Sequence, residues 1–113
     1  MKKPSNYIPE RGDVVWLNFF PQRGREQSGQ RPALILSPKE YNGKTSLALC
    51  CPITRQIKGY PFESVIPDSC KTEGAVLSDH IKSLDWAARK AQFVEIAPQT
   101  LLTDVLAKLS CLL

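Results

Sequence analysis

The sequence has little of what most proton-transfer and metal chemistry requires. It holds one histidine, His80, so enzymes built on a pair of histidines are excluded. Its four cysteines, Cys50, Cys51, Cys70 and Cys111, form no C-x-x-C pair and no Cys/His spacing of the zinc-site kind. No metal site and no cofactor is expected. A Walker loop, G-x-G-x-x-G, H-E-x-x-H and G-x-S-x-G are all missing. No apolar run approaches the length of a membrane span, and Lys2 and Lys3 lead into no apolar stretch. The expectation is a cytoplasmic protein with no membrane association. Four reduced thiols fit that compartment. Cys50 and Cys51 are adjacent, so on a strand they point to opposite faces, and both are expected in the core.

What is present suits one domain spanning residues 1–113. Hydrophobic residues make up 42% and charged residues 23%, which is ordinary globular usage and argues against disorder. The net charge of +4 and a pI near 9.0 fit a polyanionic partner without proving one.

Short β-type segments dominate. Gly12 to Phe20 is β-branched and aromatic, and reads as a buried strand. Pro21 to Gln30 is a polar loop. Arg31 to Ser37 is a second strand, with Pro32 placed at its start or edge because proline donates no ladder hydrogen bond. Pro38 to Tyr41 reads as a single helical turn and Asn42-Gly43 as a turn. Thr45 to Ile53 is a third strand, interrupted by Pro52. Pro61 to Ile66 alternates as a half-buried strand does, and Ala75 to Leu77 and Ala91 to Ile96 are further strand candidates. From Pro98 onward, Leu101, Leu102, Val105, Leu106, Leu109 and Leu112 recur at helical spacing. Their stripe is wide enough to cover a sheet or a second subunit. Trp16 and Trp86 sit in apolar context and are expected in the core or at an interface. Short strands followed by a closing helix predict a mainly β domain, a small curled antiparallel barrel with a C-terminal α-helix.

Three polar clusters stand out. Gly24 to Pro32 sets Arg25, Glu26, Gln27, Gln30 and Arg31 between glycines. The guanidiniums can fork onto phosphate, and Glu26 can take a proton. The bland reading is a solvated hairpin loop. Thr54, Arg55, Gln56, Lys58 and Tyr60 combine a hydroxyl, cations and a ring, which suits phosphates and stacked bases of a single strand. An exposed turn explains the same composition. Asp79, His80 and Lys82 form the third cluster, where a lone histidine is more often structural or inert than reactive.

Through these residues the chain resembles the MazF/PemK family of bacterial toxins. Arg11-Gly12-Asp13 leads into Val15-Trp16-Leu17, followed by Gly24-x-Glu26-Gln27-x-Gly29-x-Arg31-Pro32 and Leu36-Ser37-Pro38 with Tyr41-Asn42. Pro52-Ile53-Thr54, Lys58 to Glu63, and Asp79 to Ser83 with Trp86 and Ala88-Arg89 continue the pattern in order. The resemblance implies an SH3-like antiparallel barrel working as a homodimer, and metal-independent cleavage of single-stranded RNA at a short recognition sequence. The ribose 2′-OH attacks the adjacent phosphate, leaving a 2′,3′-cyclic phosphate and a 5′-OH. It also implies a cognate antitoxin with an acidic tail.

The family's catalytic arginine and threonine fall on Arg31 and Thr54. A fixed guanidinium stabilises the charge that builds on the phosphorane, whereas its pKa above ~12 makes it a poor proton carrier. Glu26 is the candidate base, and His80 competes for acid or base work. Arg25, Gln27, Gln30, Arg55, Gln56, Lys58, Tyr60, Asp79 and Lys82 are assigned to RNA binding. The chain departs from relatives at Gln30, where histidine is common, at His80, where glutamine is common, and at Phe20, where an acidic residue is common. Two other readings compete. One is a non-catalytic toxin directed at a protein such as DNA gyrase, which the absence of a C-terminal tryptophan opposes. The other is an inactive RNA-binding module of the same fold, which the Arg31/Thr54 pair opposes.

Overall fold

A computed structural model of the chain describes residues 6–18 and 29–113. Seven strands and two helices follow in the order β1 (Asp13–Asn18), β2 (Gln30–Ile35), α1 (Lys39–Thr45), β3 (Leu47–Thr54), β4 (Glu63–Val65), β5 (Ala75–Leu77), β6 (Lys82–Asp85), β7 (Gln92–Ile96) and α2 (Gln99–Ser110). A 3-10 turn over Ser78–His80 links β5 to β6. Among the described residues no helix is long and apolar enough to cross a membrane.

All pairings are antiparallel, and the fold is mainly β as the strand pattern predicts. The sheet is not closed into the expected barrel: among the described residues the strand path β4-β5-β3-β2-β1-β7 is open, with β6 branching from β3. At its β4 end the edge is taken by the helix: the Lys108 ammonium on α2 donates to the Glu63 carbonyl at 2.7 Å. At its β7 end the ladder to β1 shifts register between Val14 and Val15, the kind of irregularity that bends a strand.

The central strands bury both faces, so neighbouring apolar residues belong to different cores. Val14, Leu34, Cys51 and Ile53 meet Leu101, Leu102, Val105 and Leu109 of α2 on one side. Val15, Leu17, Ala33, Ile35, Ala48 and Cys50 pack on the other, with Tyr7, Leu84 and Trp86. Cys50 and Cys51 therefore do point to opposite faces, both buried, and all four cysteines are unpaired. The helix stripe behaves as its spacing predicts on its buried side, while Leu106, Leu112 and Leu113 stay exposed. Trp86 packs on the second core, and Trp16, 40% exposed, lies outside both cores.

Three local expectations change. α1 runs through Asn42 and Gly43 instead of turning there. The Asn42 side chain is fully buried, donating to the carbonyls of Pro9 and Ser37 and accepting from the Ser37 hydroxyl. Its backbone carbonyl takes the Trp86 indole N–H. Those bonds stabilise a residue that would otherwise favour a turn. The N-terminus of α1 lacks a side-chain cap from Pro38, and Glu10 supplies one by accepting from the N–H of Lys39.

Strand β3 also continues through Pro52. Leu36 N–H bonds Leu49 carbonyl, and by the antiparallel alternation Leu34/Cys51 is a bonded pair while Ala33/Pro52 is not. The missing N–H of Pro52 thus faces the other edge, where β3 passes from β6, paired up to Cys50, to β5, paired from Ile53. No ladder bond is lost there. Strand β4 inverts the expected alternation: Glu63 and Ser64 are buried and Val65 is exposed. Strand β6 was not anticipated, because Lys82-Ser83-Leu84-Asp85 holds one apolar residue.

Replacing Asn42 with alanine removes the side-chain donor from two carbonyls and the acceptor from the Ser37 O–H, and should lower stability by about 2–3 kcal/mol, read as a shift of the urea midpoint. Burial pushes the Cys50 and Cys51 thiols from 9.0 up to about 12. Below pH 9.0 folded and unfolded thiols are both neutral, so this contribution is fully present. Between pH 9.0 and about 12 only the unfolded thiols ionise, so stability falls as pH rises through that window. Urea midpoints at stepped alkaline pH should decline, with a shallower slope in Cys50→Ala.

Candidate functional site

The polar clusters gather at the end of the β2–β3 ladder, whose last pair is Ala33/Pro52. The next bonded pair, Pro32/Ile53, lacks one of its two bonds, because proline can accept from Ile53 but has no N–H to donate. Strand β2 keeps its pairing with β1 through Arg31 and Gln30. Continuing the β2–β3 register by two residues sets Arg31 opposite Thr54, in a non-bonded position where facing side chains approach most closely. Both residues follow, by alternation, the face that carries Ala33, Ile35 and Cys50. Lys82, opposite Cys50, shares it.

Thr54 ends β3 and starts the loop. Its hydroxyl oxygen accepts the N–H of Gln56 at 3.1 Å, which leaves the O–H hydrogen to donate outward. Its backbone is clamped from behind. Gly74 has a φ of +122°, and a Cβ there would lie 2.0 Å from the Thr54 carbonyl oxygen and 3.2 Å from Arg55 Cα. No side chain fits between. The sequence marks Gly74 only as one glycine among six. The contact depends on β5 returning beside the end of β3, which local patterning does not show.

The loop after Thr54 keeps Arg55, Gln56, Lys58 and Tyr60 exposed. The Tyr60 hydroxyl donates to Asp79 Oδ2, which joins the second and third clusters. That bond first, then burial, raises the tyrosine pKa. His80 sits on the 3-10 turn, half exposed, with Nε2 3.8 Å from Asp79 Oδ1. Beneath the loop, the buried Glu63 carboxylate accepts the backbone N–H groups of Lys58, Gly59 and Tyr60. Glu63 was not among the expected site residues. Gln30 opens β2, exposed and paired with Asn18. Arg25, Glu26 and Gln27 lie outside the described residues. The strand leading toward them is held at Asn18, whose carbonyl accepts from Arg89 Nη1 at 2.9 Å and whose N–H donates to the Arg89 carbonyl.

The structure thus brings Arg31 and Thr54 to one strand end and links Tyr60, Asp79 and His80. Among the described residues no group of three His, Cys, Asp or Glu side chains converges on a common point.

Gly74→Ala should displace the Thr54–Arg55 backbone and cost about 2 kcal/mol or more, from the forced φ and the clash together. Thermal unfolding measures the loss. Amide exchange near Gln56 measures the displacement, and a variant matching wild type in both would contradict the close approach.

Residues 10–113 match the family model described as PemK-like, MazF-like toxin of type II toxin-antitoxin system. The chain is 49% identical over 87 residues to the endoribonuclease toxin MazF of Escherichia coli K12, covering 77% of this chain and 78% of that one. It superposes on a crystal structure of MazF from Deinococcus radiodurans with a TM-score of 0.86 at 51% identity, covering 94% and 96% of the two chains. A MazE-MazF crystal structure from the same organism gives 0.85 at 46%, covering 94% and 95%. With a match that takes in both the strand-end pair and the helix, the chain belongs to the PemK-like, MazF-like toxins of type II toxin-antitoxin systems.

Proposed function

We propose that this toxin is a sequence-specific endoribonuclease that cuts single-stranded messenger RNA without a metal ion. The observation that carries the reading is the β2–β3 register, which extended two residues beyond Ala33/Pro52 sets Arg31 opposite Thr54. Support comes also from relatives named as endoribonuclease toxins.

In the reaction the 2′-oxygen bonds to phosphorus as the bond to the 5′-oxygen breaks. A base takes the 2′-OH proton, and the departing 5′-oxygen gains one. The products are a 2′,3′-cyclic phosphate and a 5′-OH. Negative charge builds on the phosphorane oxygens, and Arg31 offsets it with a fixed cation. Thr54 donates its O–H to a phosphate oxygen, its own oxygen lone pair being taken by Gln56 N–H. Glu26 and His80 are the proton carriers. Arg25, Gln27, Gln30, Arg55, Gln56, Lys58, Tyr60, Asp79 and Lys82 hold the RNA, its phosphates by cations and its bases by the ring and the amides.

The protein works as a cytoplasmic homodimer that an antitoxin with an acidic segment neutralises. Leu106, Leu112 and Leu113, exposed on and after α2, support a self-association surface. The net charge of +4 supports an acidic partner. A MazF from Deinococcus radiodurans crystallises with MazE.

The test is incubation with a long single-stranded RNA and the matching DNA in excess EDTA, with cut ends mapped. Discrete RNA cuts ending in cyclic phosphate, with the DNA intact, are expected. Arg31→Ala should lower cleavage by roughly a hundredfold or more and leave the melting temperature unchanged. No cleavage by folded wild-type protein, or equal cleavage by wild type and Arg31→Ala, would overturn the assignment.

A further inference from the structure

Most buried carboxylates are paired with cations or shed their charge, because removing a charge from water is costly. Glu63 is 6% exposed, and among the described residues no lysine or arginine lies within ion-pair distance of it. Its charge is answered by backbone. Oε1 accepts from Gly59 N–H at 2.9 Å, Lys58 N–H at 3.2 Å and Tyr60 N–H at 3.3 Å, and Oε2 accepts from Lys58 N–H at 3.1 Å. The Glu63 N–H closes the turn by donating to the Tyr60 carbonyl at 3.0 Å. Three consecutive amides thus converge on one side chain. Gly59, at φ +78° with open space around its Cα, provides the curvature.

Glu63 itself is fixed from two sides. It pairs with Leu77 of β5, and its carbonyl accepts from Lys108 of α2. It is therefore a rigid post under the loop that displays Arg55, Gln56, Lys58 and Tyr60. At the loop's far end the Tyr60 hydroxyl is held by Asp79. A loop of this kind, left to itself, would wander and order only on binding, which weakens affinity.

The geometry points to Glu63 as a positioning residue for RNA binding: it presets the 55–60 backbone so that the cations and ring of this loop meet a single strand already in place. The role rests on the endoribonuclease reading above. Glu63 touches no substrate and transfers no proton; it acts through the three amides.

Glu63→Gln keeps the shape and removes the charge that draws all three N–H groups to one side chain. Exchange protection of the Lys58, Gly59 and Tyr60 amides should fall while that of β1 to β3 holds. The KM for a single-stranded oligoribonucleotide containing the cut site should rise roughly tenfold with kcat within about twofold, the pattern of lost uniform binding. In an Arg55→Ala/Lys58→Ala background the penalty should shrink, because the residues act as one unit. A fall in kcat at constant KM, a fully additive penalty, or unchanged KM despite lost protection each overturns the role. Gly59→Ala reshapes the same turn from the solvent side without touching the core. Weaker RNA binding at an unchanged melting temperature supports the proposal, and unchanged binding overturns it. Fluorescence anisotropy with an oligonucleotide carrying 2′-deoxyribose at the cut separates the two readings. Absent cleavage by wild type sinks the enzymatic reading, while weaker binding by Glu63→Gln still upholds the positioning role and equal binding removes it.

Discussion

The arrangement of this molecule depends on where the β2–β3 ladder stops. Up to Ala33/Pro52 the two strands are locked, and both their faces are buried, one under α2 and one against Tyr7, Leu84 and Trp86. A slip by one residue would exchange the two cores wholesale, so the register has no competitor. Beyond Ala33 the Pro32/Ile53 pair lacks the bond that a Pro32 N–H would have made. Each strand is still anchored on its far side: β2 by β1, and β3 by β5. The register carried past the ladder's end leads to Arg31 on one strand and Thr54 on the other. Gly74 bears directly on the Thr54 carbonyl.

The same economy recurs in the loops. Where backbone amides lack a strand or helix partner, a carboxylate stands in. Glu10 accepts from Arg11 and Lys39, and those bonds, the Arg11 one first, hold its pKa below the usual range. Asp13 accepts from Glu10 N–H and the Tyr7 hydroxyl. Glu95 accepts from the amides of Lys71 and Thr72, which secures the segment that returns Gly74 to Thr54. Glu63 does the same beneath the 55–60 loop. Small domains have a limited core, and here acidic side chains fix the segments that the core does not reach. The loop cations and Lys82 stand exposed, while Arg89 and Lys108 hold backbone carbonyls.

This division explains which features the sequence discloses. The α2 stripe and the three central strands are legible because burial writes a period into the chain. The Arg31 and Thr54 positions are legible as motif, and their chemistry follows from residue type. Glu63 is not, since its neighbours read as an alternating strand and alternation predicts a solvent-facing glutamate. Asn42 followed by glycine is a turn signal that tertiary bonds from Pro9, Ser37 and Trp86 override. Gly74 and β6 depend on which strand comes to lie beside β3, a non-local fact that no window of neighbouring residues contains.

Proton transfer is where these constraints meet the chemistry. Arg31 supplies charge but gives up no proton near neutral pH. Of the two groups proposed to move one, His80 lies on the turn between β5 and β6, and Glu26 lies outside the described residues. His80 is not independent of the RNA-facing loop. Its neighbour Asp79 holds the Tyr60 hydroxyl, and Tyr60 N–H is held by Glu63. The ring proposed for base recognition and the imidazole proposed for proton transfer therefore share one carboxylate, which accepts from the phenol and lies 3.8 Å from His80 Nε2.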